Sequence, residues 1–511
     1  MNAIRLIIER HFVAFVVLLY LVKAALRVAV SPSLGWDESE LTLHAQHAAL
    51  GYGAQPPLYM WLQWAVFTVF GASLAALTLT KHVLMLAVHL SLYRCARLVG
   101  SSHAAAVWAS LLLFAVPLFA YEASRDLSHS VIAFLCANGL LLAMLHLLVT
   151  ERAAARDYLL VGLATAATLL TKYNSAILVV SLFGAALLVP GYRPRMIDRR
   201  MGLALAAAFV VLAPHASWMP GHFDRQLRGK LDSMGMTPGL DPSVLATVLT
   251  DVGVGVAAVV LPPVVFAAAW LWTPLASRDR PGPVTADAKR FLLASLVLAA
   301  VLFAVVLALL GGGRFRTRWL LPLMPALPLA VVLPLYSDRM SRLRRNGFAG
   351  TLLVLLVLQN ILLVAPVLSP ALKGKPTRLN LPVEAIAATL EREGLADGTL
   401  ITDRHSIGGA IRFLNHPPLV VVPGMMLSEN YADRGEGPAV FLWRPSDTDA
   451  VPARLLEAAR DLGYRTRGPA CTPPPGRLLE FPYTRWDGAP YRIQLASIPS
   501  RCRLGSGSSA H

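Results

Sequence analysis

FVAFVVLLYLVKAALRVAV, residues 12–30, is soon followed by Trp36-Asp37-Glu38-Ser39-Glu40. The apolar run is long enough to cross the hydrocarbon core of a bilayer. Carboxylates cost several kcal/mol in hydrocarbon, so the acids after it must lie in water, at the interface or against a partner. The run exceeds a signal-peptide core and no small-residue cleavage site precedes Asp37, so it reads as a retained helix. An acidic loop at this level suits a site that faces a lipid-borne substrate.

Composition agrees with this first helix. The 511 residues are 56% hydrophobic and 15% charged, with mean hydropathy +0.56, which describes a polytopic α-helical membrane protein. A net charge of +16 would suggest a nucleic-acid partner in a soluble protein. Here much of the Lys and Arg falls in short loops between apolar runs, where it sets topology, and no nucleic acid is expected.

About eleven spans are expected, near 12–30, 74–93, 104–120, 127–149, 158–171, 175–190, 202–219, 245–272, 291–310, 319–336 and 348–369. Alternate loops then hold Arg94 and Arg97, Arg152 and Arg156, the group from Arg193 to Arg200, the group from Arg278 to Arg290, and the group from Arg339 to Arg345. The positive-inside rule makes these loops cytoplasmic. The N-terminus is then cytoplasmic in a bacterial inner membrane, and the chain from about residue 371 lies on the periplasmic side. Leu58 to Phe70 is too short to span and reads as a re-entrant or interfacial helix, with Trp61 and Trp64 at headgroup level.

Two domains are expected: residues 1–370 in the membrane, with the first outer loop at 31–57, and a smaller α/β domain at 371–511. In the latter, the strand-like Leu419 to Val422 alternates with helical stretches such as Val383 to Glu393 and Ala453 to Leu462. Cys471 and Cys502 are its only cysteines. On an oxidising side they could form a disulfide or remain two free thiols, and spacing alone does not decide.

Gly35 to Glu40, then His44-Ala45-Gln46-His47, then Gln55-Pro56-Pro57-Leu58-Tyr59 together resemble the first external loop of one enzyme family. These are the multi-span glycosyltransferases of the protein O-mannosyltransferase and lipid A aminoarabinosyltransferase type, with a GT-C fold. Leu170-Thr171-Lys172-Tyr173 is similar to the family's Lys-containing helix end, and Arg314 to Pro322 to its late Arg-rich helix entry. The resemblance implies an inverting transferase that takes a hexosyl or pentosyl group from a polyprenyl (undecaprenyl) phosphate. Its acceptor would be lipid A, another envelope glycan, a lipid or a protein. Many relatives carry Asp-His or Asp-Lys before the Pro pair, whereas this chain has Ala54-Gln55, so a metal ligand in that turn is absent.

The residues allow the same chemistry. No nucleotide pool exists outside the membrane, so the donor must arrive activated, and a lipid-linked sugar phosphate supplies the leaving group. Such a site needs a carboxylate base for the acceptor hydroxyl and cations for the departing phosphate. Asp37 is the candidate base. Glu38 would orient the acceptor or raise the proton affinity of Asp37. Alternatively, the pair caps a helix end. The resemblance makes Asp126 a second candidate for base or acceptor binding, because the family often places an acid at the start of that helix; its ordinary alternative is a helix N-cap or first-turn charge. Lys172, Arg314, Arg316 and Arg318 fall on the outer side, where positive charge is depleted, and are candidates for the donor phosphate. Headgroup snorkelling is their ordinary alternative.

Tyr59, His44 and His47 are candidates for the acceptor side of the loop. The two histidines, three apart on one helix face, could ligate a divalent metal with Asp37 or Glu38, but spacing fixes no further ligand. His222 to Lys230 could line an acceptor entrance, and a solvated loop is its ordinary alternative. A transporter or flippase for a lipid-linked sugar is the alternative function, but it would place ionisable residues near mid-span and show an internal repeat.

Overall fold

The computed structural model describes residues 1–53, 55–222, 228, 242–272, 286–311, 315–432, 434–446 and 448–504. Among the described residues, seven helices are long and apolar enough to cross a membrane: Phe12–Val30, Leu74–Leu98, Ser128–Val149, Met201–Gly221, Leu245–Leu271, Ala286–Leu309 and Arg342–Leu368. An eighth is formed if His103–Ala115 and Leu118–Arg125, bent by 74°, are one broken span. The bend falls at Pro117, and the preceding Val116 is extended, as the residue before a proline prefers.

Three expected spans differ from the expectation. Residues 158–171 and 175–190 are the shorter helices Ala155–Leu169 and Ser175–Leu188. Residues 319–336 contain Pro322, Pro325 and Pro328 and break into the 3₁₀ turns Thr317–Trp319 and Leu321–Leu323 and the short helix Leu327–Val332. Proline removes a backbone donor and clashes with the preceding turn, so an apolar run rich in it does not stay one helix.

The chain divides into two compact units. The first comprises Met1–Val22, Ala54–Leu58 and Lys81–Ile361. Within it Ala155–Leu169 packs against Met201–Trp218. A Cβ at Gly162 would come 2.2 Å from the Ala204 carbonyl oxygen, so the missing side chain sets that close approach.

The second unit comprises Lys23–Gly53, Tyr59–Thr80 and Leu362–His511. Its described residues form a five-stranded sheet of β1 (Thr399–Thr402), β2 (Val420–Val421), β3 (Ala439–Trp443), β4 (Arg477–Phe481) and β5 (Tyr491–Ile498), in the order β2-β1-β3-β5-β4. β1 runs parallel to β2 and β3, pairing Leu400 with Val420 and Val440, while β5 is antiparallel to β3 and β4. β1 and β3 are buried along their whole length, as apolar central strands should be. The helices Val383–Arg392 and Ala453–Asp461 match the expected stretches, and Cys471 and Cys502 form a disulfide.

The first loop folds into this second unit. Its helix Trp36–His44 packs on the helix His405–Leu414. A Cβ at Gly409 would stand 3.2 Å from the Ser39 Cα, so glycine lets the two helices approach this closely, and a side chain there would press on them. The Ser33 hydroxyl donates to the Leu381 carbonyl (2.9 Å), and Gln46 exchanges two hydrogen bonds with the backbone of Val420 (2.8 and 2.9 Å).

Candidate active site

The acidic stretch opens the helix Trp36–His44, with Gly35 as its extended N-cap. Glu38 stands at the third helical position and accepts from the Gly35 amide (2.8 Å), satisfying one of the donors a helix start leaves unpaired. Arg27 grips the same carboxylate with both arms, at 2.9 and 2.6 Å, and also donates to the Ser31 and Ser33 carbonyls at 2.8 and 2.7 Å. One guanidinium thus fixes the end of the first span, the loop and the helix start. Asp37, one residue earlier, is buried in the first turn, where the helix dipole favours a carboxylate.

The two histidines do not share a helix face. The helix ends at His44, and the chain turns away as Gln46 pairs with Val420. His44 is buried edge-on against Tyr52, with ring centroids 5.7 Å apart. His47 instead lines a polar cavity of about 300 Å³ with Arg434, Glu436 and Arg503. Burial and the charges of Arg434 and Arg412 lower its pKa to about 4. Among the described residues no group of three or more His, Cys, Asp or Glu is placed to hold a metal ion. Tyr59 is buried in the short helix Leu58–Phe70.

The cationic candidates lie in the first unit. Lys172 is buried and donates from Nζ to the Ser130 hydroxyl at 2.7 Å. Ser130 belongs to the first turn of Ser128–Val149, whose N-cap Leu127 has a positive φ of 50°. Asp126 precedes that reversal, and its carbonyl accepts from the Nζ of buried Lys81 at 2.6 Å. Two ammonium groups therefore meet at one helix N-terminus, which itself favours anions. Arg125 pairs with Glu122 at 2.7 Å.

Asn174, two residues after Lys172, donates to the Trp319 carbonyl at 3.0 Å. This bond joins the Lys172 segment to the turn that carries Arg316, which is exposed, and Arg318, which is half-buried. The Leu58 amide donates to the Leu170 carbonyl at 3.1 Å, so the Pro56-Pro57 turn meets the same segment. Arg314, Ala54 and residues 223–227 and 229–230 lie outside the described residues.

Sequence reasoning missed Arg27 and Lys81. Each is a charge inside an apolar helix, a placement that is costly without a partner. That cost was the available signal.

Comparison with known proteins now decides the class. The family model described as dolichyl-phosphate-mannose-protein mannosyltransferase matches residues 54–218. The lipopolysaccharide core galacturonosyltransferase RgtA of Rhizobium johnstonii is 31% identical over 460 residues, covering 87% of this chain and 89% of that protein. This chain belongs to the GT-C family of membrane glycosyltransferases. The lipopolysaccharide core galacturonosyltransferase RgtB of the same organism is 29% identical over 86% of the glycosyltransferase and 88% of its own length. Crystal structures of ArnT from Cupriavidus metallidurans share the fold at 15% identity. The apo form has a TM-score of 0.53 over 97% of this chain and 99% of that one. The form bound to undecaprenyl phosphate has a TM-score of 0.54 over 98% and 99%. The enzyme is thus a bacterial, polytopic membrane glycosyltransferase with a C-terminal α/β region.

Proposed function

We infer that this glycosyltransferase moves a uronic acid from a polyprenyl-phosphate donor, such as undecaprenyl phosphate, to the lipopolysaccharide core. The names of its two similar relatives support the sugar and the acceptor. The donor reading is carried by Lys81 and Lys172 meeting at the first turn of Ser128–Val149, where ammonium groups and helix N–H groups suit a phosphate.

In the reaction, Asp37 accepts the proton of the acceptor hydroxyl as that oxygen attacks the anomeric carbon. The bond from this carbon to the phosphate oxygen breaks, and the lipid phosphate leaves with both electrons. Lys81, Lys172 and the Arg316 and Arg318 turn offset the charge that develops on it. A single displacement inverts the anomeric centre, and nearby carboxylates favour an oxocarbenium-like transition state. Glu38, held by Arg27, positions Asp37, while Asp126, Tyr59, His44 and His47 serve the acceptor side.

In this reading, residues 1–370 form the transferase domain in the inner membrane, with a cytoplasmic N-terminus. Residues 371–511 lie in the periplasm, where the Cys471–Cys502 disulfide is at home. Mass spectrometry of envelope glycolipids from a deletion strain tests the assignment. Loss of a uronic acid mass from the lipopolysaccharide core is expected, and an unchanged core glycan contradicts it.

A further inference from the structure

Trp36 immediately precedes the proposed base and is 41% exposed. Two basic side chains are gathered on it. The His405 ring lies 3.9 Å from it between centroids, and the Arg378 guanidinium sits over it at 4.9 Å. Cation–π contact holds a guanidinium in place while leaving its N–H groups able to bind oxygen.

The scaffold beneath these groups is rigid. Arg378 opens the turn Arg378–Asn380, and the buried Asn380 donates from Nδ2 to the Val367 and Thr484 carbonyls at 2.9 and 3.0 Å. The Ser31 hydroxyl donates to the Leu379 carbonyl, so the loop that carries Trp36 is stitched to the turn that carries Arg378. His405 starts the helix His405–Leu414, which Gly409 brings into close contact with Trp36–His44.

Arg378 makes no ion pair among the described residues. Arg404 lies 3.9 Å from Asp403, but that carboxylate is held more closely by Arg454 at 2.8 Å. His405 Nε2 is buried and meets no hydrogen-bond partner among the described residues. Burial and the charges of Arg378 and Arg404 lower the His405 pKa to about 4, so its ring is neutral at physiological pH and offers a hydrogen bond.

We propose that Arg378, Arg404 and His405, assembled around Trp36, form a subsite for the carboxylate or phosphate of an acidic saccharide beside Asp37. The proposal rests on the reading of Asp37 as the base. The anion comes either from the transferred uronic acid or from the acceptor glycan, both of which present such groups close to the reacting atoms. Arg378 supplies the paired N–H donors, Arg404 adds charge, and His405 fixes the orientation.

Equilibrium binding to the full-length protein in nanodiscs tests this without requiring turnover. The probes are galacturonic acid against galactose, and deacylated lipopolysaccharide core against the same core after carboxyl reduction and dephosphorylation. The acidic member of at least one pair should bind about tenfold more tightly. Arg378→Gln should abolish that preference while leaving the neutral probe unchanged, Arg378→Lys should restore part of it, and Arg404→Gln should weaken it. A preference confined to galacturonic acid assigns the site to the donor sugar, and one confined to the core assigns it to the acceptor. Equal binding of acidic and neutral probes, or a preference that survives both Arg378→Gln and Arg404→Gln, overturns the proposal. Charge-dependent binding by a wild-type protein that transfers no sugar would sink the transferase reading and leave the subsite standing.

Discussion

Arg27 and Lys172 are cations held by side chains within the fold, Arg27 by the Glu38 carboxylate and Lys172 by the Ser130 hydroxyl. The Arg27–Glu38 pair is largely buried, with side-chain exposures of 14% and 7%, so removing one partner strands a charge. Arg27→Met should cost about 3–5 kcal/mol of stability, read as a lowered melting temperature in detergent. A fully stable variant would mean that Glu38 finds other partners. Lys172→Met should raise the KM for the lipid-linked donor and lower kcat/KM by about 10²-fold, measured with purified enzyme. An unchanged donor dependence would remove Lys172 from the phosphate site. Asp37 and Glu38 were legible because acids next to an apolar run are costly. Arg27 and Lys81 carried the same signal of a costly charge in an apolar run, but the partners that explain them, the Glu38 carboxylate and the Asp126 carbonyl, are visible only in the structure.

At the scale of elements, the helix Trp36–His44 is short and stops before His47. The three-residue spacing of the histidines suggested one face, but the Gln46–Val420 pairing redirects the chain. His47 and His405 give a pH dependence. His47 and His405 each have a pKa of about 4 in the folded protein against 6.5 for the free side chain. The unfolded chain therefore binds more protons between these values, and stability falls as pH drops from about 6.5 towards 4. Hydrogen exchange of β1 and β3 peptides should show protection declining over that window. His47→Gln with His405→Gln should flatten the decline, whereas an identical decline in the double variant would assign it to other groups. Long spans such as Ser128–Val149 were legible from hydropathy alone. The segment 319–336 was not, because a window average hides what Pro322, Pro325 and Pro328 do to the backbone.

For the whole molecule, hydropathy and charge separated an apolar helical region from an α/β region, and both are present. What the sequence could not reveal is that the first loop folds together with the C-terminal region in one compact unit. The contacts that do this, Ser33 to Leu381 and Gln46 to Val420, join residues hundreds of positions apart and leave no local pattern. The most direct test is transfer by purified wild type and Asp37→Asn from polyprenyl-phosphate galacturonic acid to lipopolysaccharide core, with the product's anomeric configuration read by NMR. Wild type should give product of inverted configuration, and Asp37→Asn, folded and still binding donor, should give none. Product from Asp37→Asn at the wild-type rate, or retained configuration in the wild type, would contradict the account.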